Sequence, residues 1–294
     1  MTNTSAPPQV DLSIIIVNYN TAALLQGCLD SIRTQTGASF EILVVDNASH
    51  DDSVARVKKH FPAVNLLASP TNLGFAKANN LALRQAKGRF VFFLNPDTEV
   101  IPGCFAATLA YMDNHPEIGM AGTRVIFPDG RPQSSVEYSY PGARYARQET
   151  TGLPGTIAWL LGASLIARPE VLARTGGFDE RFFLYGEDVD LGFMVRKLGW
   201  ELGFIAEACI VHWEGQSERR SLPVQVLRKK LAAELLFYQK HYTVRSITRI
   251  KRINRLKANW RLLTLRLALP FVRDREKQRQ QIGRYQTIRE MFSS

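Results

Sequence analysis

An α/β fold, with a mostly parallel central sheet flanked by helices, is predicted by three observations. Short apolar runs of strand length alternate with helical stretches through the first hundred residues. Two of these runs stop abruptly in polar clusters that contain Asp. The 294 residues are 45% hydrophobic and 22% charged, enough to bury a full core as one large domain or as one domain with an appendage.

Leu12-Ser13-Ile14-Ile15-Ile16-Val17 is a β-branched run that reads as a buried first strand, followed by Asn18-Tyr19-Asn20 and a helix from Thr21 to Arg33. Glu41 to Val45 forms the second strand and ends in Asp46-Asn47-Ala48-Ser49. A helix from Ser53 to His60 and a strand from Val64 to Leu67 follow. Asn72-Leu73-Gly74-Phe75 is a loop before the helix Ala76 to Ala86, and Phe90 to Leu94 is the fourth strand. That strand stops in Asn95-Pro96-Asp97, which puts a carboxylate where open α/β sheets bind ligands, at the carboxyl edge. Asp97 there suits an oxygen-preferring cation that bridges phosphates; the same tripeptide is also a favourable turn. There is no GxGxxG after the first strand and no Walker A sequence, so a typical dehydrogenase and a P-loop NTPase are both unsupported.

The segment Phe127 to Pro154 is rich in Pro, Gly, Ser, Tyr and Arg without a clear period, and reads as a functional flap or a surface loop. Ile157 to Ala167 is apolar with small residues, a strand or tight turn lining the site. Glu187, Asp188 and Asp190 then precede an amphipathic helix expected over Leu191 to Leu198. They serve either as acidic N-terminal caps or, beside Phe182, Phe183 and Tyr185, as carboxylates whose pKa is raised toward that of a general base. After a strand at Phe204-Ile205, the run Cys209-Ile210-Val211 ends in His212, a structural residue or a ligand for which Asp97 is a partner.

Cys28, Cys104 and Cys209 are odd in number, scattered and without CxxC spacing, which argues for reduced thiols and against a disulfide frame or a zinc site. Residues 1 to 10 show neither a basic start nor an apolar core, so no signal peptide is expected and the location expected is cytoplasmic. The net charge of +10 is split unevenly: residues 219–294 hold 20 Lys and Arg against 4 Asp and Glu, leaving 17 against 23 before them. A mildly acidic body therefore carries a basic appendage that seeks anionic surface. The expected organisation is a flexible N-terminus over 1–10, a catalytic domain over 11–218 and a basic helical region over 219–294. Within the last, Ile247, Ile250, Ile253, Leu256, Trp260, Leu263 and Leu267 recur at spacings of three and four, with Arg249, Lys251, Arg252, Arg255 and Lys257 on other faces. That pattern reads as one amphipathic basic helix lying on an anionic membrane, or as a helix packed on the catalytic domain. The apolar run 262–271 is interrupted by Arg266 and too short to span a bilayer.

Taken in order, Ile15 to Asn20, Val44 to Ser49, Asn72 to Asn80, Asn95-Pro96-Asp97, Gly186 to Leu191 and His212 resemble family 2 of the inverting glycosyltransferases, with the GT-A fold, and most of all its rhamnosyltransferase-like branch. The resemblance covers roughly residues 11 to 215. It implies that Asp46 accepts a hydrogen bond from the donor's pyrimidine base, with Asn18, Tyr19 and Asn47 near the nucleoside. It implies that the Asn72 to Asn80 motif, including Gly74, Lys77 and Asn79, holds ribose and diphosphate. Asn95-Pro96-Asp97 stands at the family's DxD position, where Asp97 binds Mg²⁺ or Mn²⁺ and His212 completes the metal site. Asn95 replaces the first Asp, so its neutral amide contacts the sugar or a metal-bound water. Asp188 is the expected base toward the acceptor hydroxyl, Glu187 the alternative, and Asp190 positions acceptor or helix. Direct displacement inverts the anomeric centre without a covalent enzyme intermediate.

The basic tail thus predicts a cytoplasmic enzyme held peripherally on the inner face of the cell membrane, and the resemblance implies that it moves rhamnose from dTDP-rhamnose, or a sugar from a UDP-sugar, to a lipid-linked or polysaccharide acceptor. Two other classes compete. A nucleic-acid-binding module would use the basic tail on phosphates but leaves the acidic clusters without a purpose, so nucleic acid is not expected as a partner. An inactive scaffold would keep the fold with Asn95 as its lesion.

Overall fold

The computed structural model describes residues 10–213, 222–270 and 272–293. The expected flexible N-terminus, Val10 excepted, and the expected boundary at 218/219 lie outside them. The described residues divide into two compact units. One comprises 10–139, 153–183 and 187–213, the other 140–152, 184–186 and the described residues beyond 221.

The first unit opens with β1 (Val10–Asn18), α1 (Ala22–Arg33), β2 (Phe40–Asp46), α2 (Ser53–His60), β3 (Asn65–Ala68), α3 (Phe75–Leu83) and β4 (Gly88–Leu94). β5 (Thr98–Val100), α4 (Cys104–Asn114), β6 (Ile118–Ile126), β7 (Pro132–Gln133) and β8 (Val136–Glu137) follow. A short helix, α5 (Arg147–Thr150), belongs to the second unit, and the chain returns through β9 (Trp159–Leu160), β10 (Ser164–Ala167), α6 (Pro169–Thr175), α7 (Glu187–Lys197) and β11 (Glu201–His212). The sheet order is β3-β2-β1-β4-β10-β6-β11-β5, with β7 beside β6 and a separate β8-β9 pair. The ladders through β3, β2, β1 and β4 and between β6 and β11 are parallel, as helical crossovers require. β10 runs antiparallel to both β4 and β6, and β5 antiparallel to β11. The reversal arises because the chain reaches β10 through the irregular segment after β6 instead of a crossover helix.

The apolar runs are nearly continuous because both faces of the sheet are covered. Ile14, Ile16, Val44, Phe92 and Leu94 point into one layer with Leu25, Leu29 and Ile32 of α1 and Phe105 of α4. Ile15, Val17, Leu43, Val45 and Phe93 point into the other with Ala78 and Ala82 of α3 and Leu191 and Val195 of α7. A one-residue slip of any central strand would exchange the two sets. Truncating Phe92 or Phe93, both fully buried, to Ala is worth roughly 3–5 kcal/mol. The three cysteines are buried free thiols, and burial pushes Cys28 and Cys104 up to about 12.

Two expectations change. The helix predicted over 191–198 begins at Glu187, so Glu187, Asp188 and Asp190 lie in its first turn instead of before it. The tail is three helices, α8 (Pro223–His241), α9 (Val244–Ala268) and α10 (Arg275–Met291). In this second unit Tyr140 stacks on Phe237 at 5.9 Å, and the Tyr242 hydroxyl donates to the Pro141 carbonyl at 2.7 Å. Glu149 accepts from the amide and hydroxyl of Thr243, which itself caps α9. Part of the aperiodic middle segment is therefore packing material for the helices.

Candidate active site

Parallel registry brings the polar clusters to one edge of the sheet. Asn18 pairs with Asp46 across β1 and β2, and Ile16 pairs with Leu94 across β1 and β4, so Asn95 to Asp97 emerge beside the end of β1. Asn18 is fully buried; its Nδ2 donates to Asp46 Oδ1 at 2.9 Å and to Ser49 Oγ at 3.1 Å, and its Oδ1 accepts from Thr21 Oγ1 at 2.7 Å. Asp46 Oδ2 accepts the Ser49 amide at 3.0 Å. Ala48, at φ 64°, makes the left-handed turn that brings that amide back. Asp46 is thus fixed by two donors while its oxygens keep lone pairs for a ligand. Tyr19 follows, half-buried.

Asn47 ties this cluster to the next. Its Oδ1 accepts the Leu73 amide at 2.7 Å and its Nδ2 donates to Asn72 Oδ1 at 2.9 Å, which also takes the Gly74 amide at 2.9 Å. Lys77 is exposed on α3. Asn79 is buried, with its amide on the Phe75 carbonyl at 3.0 Å, and Asn80 clamps both backbone groups of Phe178, so these two brace the scaffold. Gly74 sits at φ 80° and ψ 168°, and a Cβ there would stand 2.7 Å from Phe183. Gly74→Ala is expected to lower stability by about 1–3 kcal/mol from backbone strain alone, read as a lower Tm; an unchanged Tm would show that the loop relaxes freely.

The antiparallel pairing of β5 with β11 sets His212 opposite Thr98, beside Asp97. Both side chains are buried, with His212 Nε2 3.4 Å from Asp97 Oδ1 and His212 Nδ1 3.0 Å from Gln133 Oε1. In the tautomer whose Nδ1 donates to the Gln133 carbonyl, Nε2 turns a lone pair toward a carboxylate. That arrangement calls for a proton or a cation between them. Asn95 is half-buried. Among the described residues no cluster of three His, Cys, Asp or Glu is placed to hold a metal. Asp97 and His212 nevertheless fit a cation that takes its remaining ligands from phosphate and water.

The acids of α7 meet this region through one turn. The Gly162 amide donates to Asp188 Oδ2 at 3.0 Å, and the adjacent Ala163 carbonyl accepts the Asn95 amide at 3.0 Å. Arg196 of α7 holds the loop before β9 by donating to the carbonyls of Leu153, Pro154 and Gly155. Gln133 carries no sequence signal, since it lies in the segment without a period, whereas Gly162 falls within 157–167, the run expected to line the site.

Glu187 and Asp188 sit in different surroundings. Glu187 is buried, its Oε2 has no hydrogen-bond partner among the described residues, and burial aided by the charge of Asp188 pushes its carboxyl well above the usual range. Asp188 is half-buried; burial raises it too, opposed by the Gly162 and Val189 amides. The two amides on Asp188 favour its charged form, an asymmetry of the kind an acid pair with divided roles requires. Asp190 is buried in the same turn, and its charge acts on Arg181. Of the neighbouring aromatics, Phe182 is buried and Phe183 exposed. A raised folded-state pKa stabilises below the unfolded value, and that stability is lost as pH rises through the folded value. Glu187→Gln, which cannot ionise, should hence gain in stability relative to the wild type as pH rises, read as a larger Tm difference at pH 8 than at pH 5. Equal gains at both would show that Glu187 holds no displaced proton.

The family model described as Glycosyl transferase family 2 matches residues 13–164, and that of Glycosyl transferase family group 2 matches 90–272. The chain is similar to the N-acetylglucosaminyl-diphospho-decaprenol L-rhamnosyltransferase of Mycobacterium tuberculosis, 28% identical over 246 residues, 71% of this chain and 78% of that protein. It is 31% identical over 226 residues to the O-antigen biosynthesis protein RfbC of Myxococcus xanthus, covering 71% of this chain but 18% of the relative. Among solved structures, the mannosyltransferase PcManGT from Pyrobaculum calidifontis, in complex with GDP-Man and Mn²⁺, superposes with a TM-score of 0.59 at 17% identity over 99% of this chain and 88% of that one. On the family match and the fold, this chain belongs to glycosyl transferase family 2, with the GT-A fold.

Proposed function

We propose that this glycosyltransferase moves rhamnose from dTDP-rhamnose to a lipid-linked or cell-surface polysaccharide acceptor, with inversion at the anomeric carbon. The observation that carries the reading is the turn at Gly162-Ala163, which holds Asp188 by one residue and the Asn95-to-Asp97 strand end by the next. A base and a leaving-group site on one rigid support suit an in-line displacement. The rhamnosyl donor is supported by the relative from Mycobacterium tuberculosis, whose name also specifies a lipid-linked diphosphate acceptor.

In this reading Asp46, held in place by Asn18, recognises the base, and the 72–74 loop with Lys77 at the start of α3 faces the ribose and diphosphate. Asp97 and His212 would hold a divalent cation, which when bound neutralises charge developing on the departing diphosphate; the solved mannosyltransferase carries Mn²⁺. Asp188 accepts the acceptor hydroxyl's proton as that oxygen attacks the anomeric carbon from the face opposite the diphosphate. The Gly162 and Val189 amides favour charge on Asp188 over the unpartnered Glu187, and Asp190 supports the helix start.

The discriminating experiment is a thermal-shift series with dTDP-rhamnose and UDP-sugars, each with and without Mn²⁺. A donor at about 100 times its Kd stabilises the fold by nearly 3 kcal/mol. A shift with dTDP-rhamnose and none with UDP-sugars is expected. The reverse would replace the donor, and no shift with any sugar nucleotide would overturn the transferase reading.

A further inference from the structure

Helix α9 has two apolar faces, and the second unit covers one of them. Ile250, Ala258 and Leu262 are buried, and α10 is joined to this side by Gln278 Nε2 donating to the Leu265 carbonyl at 3.0 Å and by Tyr285 under Arg261 at 5.6 Å. Leu256, Trp260, Leu263 and Leu267 stand 52–66% exposed. At about 100° per residue these four lie in one line, roughly 180° from the buried set, and run about 17 Å along the helix. The same line continues toward the N-terminus as Arg245, Arg249 and Arg252, with Arg255, Lys257 and Arg266 on its flanks, all exposed. α9 contains no Asp or Glu.

We propose that this face of α9 docks on an anionic lipid surface, lying in the plane of the interface with Leu256, Trp260, Leu263 and Leu267 inserted and the arginines on headgroup phosphates. Charge decides the occupant. A second copy of the helix would bring the same cations face to face, and nucleic acid would leave the Leu and Trp row in water. A bilayer of anionic lipid takes both, with Trp at the boundary between hydrocarbon and headgroups. No helix among the described residues is long and apolar enough to cross a membrane. The proposal stands on α9 alone and does not depend on the transferase reading. It also changes which residues face lipid: Ile250, which spacing put on the membrane stripe, is fully buried within the helical unit.

The test is co-sedimentation of the full chain with vesicles of phosphatidylglycerol in phosphatidylcholine and with phosphatidylcholine alone. Binding should favour the anionic vesicles and weaken with salt. The variant with Leu256→Ser, Trp260→Ser and Leu263→Ser should lose at least about tenfold in partitioning while melting like the wild type. The variant with Arg252→Gln, Arg255→Gln and Arg266→Gln should lose about 10²-fold on anionic vesicles, each basic group contributing about fivefold. Equal binding to both vesicle types, or unchanged binding by the apolar variant, overturns the proposal. So does a dimer in sedimentation velocity that the apolar variant dissociates, together with no vesicle binding, because a second copy then covers the face.

Discussion

Replacing Asp188 by Asn is expected to slow transfer by about 10²–10⁴-fold while leaving dTDP-rhamnose binding near the wild-type level. The range is that of a general base removed from an otherwise intact site. Asn keeps the shape and can still accept the Gly162 amide, so the helix start should hold and the loss falls on proton transfer. Glu187→Gln makes the contrast. Its carboxyl is buried, has no partner on Oε2 among the described residues and is pushed up by that burial, so an amide there should cost far less activity. Transfer rates with donor saturated, alongside thermal shift by donor, separate the two variants. Wild-type rates in Asp188→Asn with a dead Glu187→Gln would exchange their roles.

Strands β1, β2 and β4 were legible because each is buried on both faces, so the sequence shows an unbroken apolar run with polar residues at its end. Asp46 and Asp97 stood out for the same reason. The start of α7 was not legible: Glu187 and Asp190 are buried carboxylates, and a rule that reads burial from apolar spacing begins the helix only at Leu191. Gln133 was missed because its contribution comes from the chain-distant pairing of β7 with β6, and although 157–167 was expected to line the site, the partner of Gly162 on α7 lies too far along the chain to be read from spacing. In the tail, the steps of three from Ile247 to Leu256 rotate about 60° each around a helix. One apparent stripe was therefore two faces, and only packing against α10 tells which is inside.

Removing the Asp97 carboxylate should be nearly as damaging as removing the base. Asp97→Ala is expected to lower the rate by about 10²–10³-fold, the scale of losing one electrostatic support for a developing charge. Here donor affinity should fall too, because the diphosphate is charged before the reaction as well as during it. His212→Ala should act in the same direction, and a chelator should reduce the wild type to the level of Asp97→Ala, with Mn²⁺ restoring it. Gln133→Leu tests the cause: it leaves both proposed ligands in place but removes the acceptor that orients His212, and should weaken Mn²⁺ dependence by about 10–100-fold. Melting curves must accompany these variants, since Asp97 and His212 are buried and removing one leaves the other without its partner. Full activity in chelator with normal donor binding by both alanine variants would leave the pair as a hydrogen-bonded strut, and the leaving diphosphate would then be neutralised by the exposed Lys77 or other basic side chains.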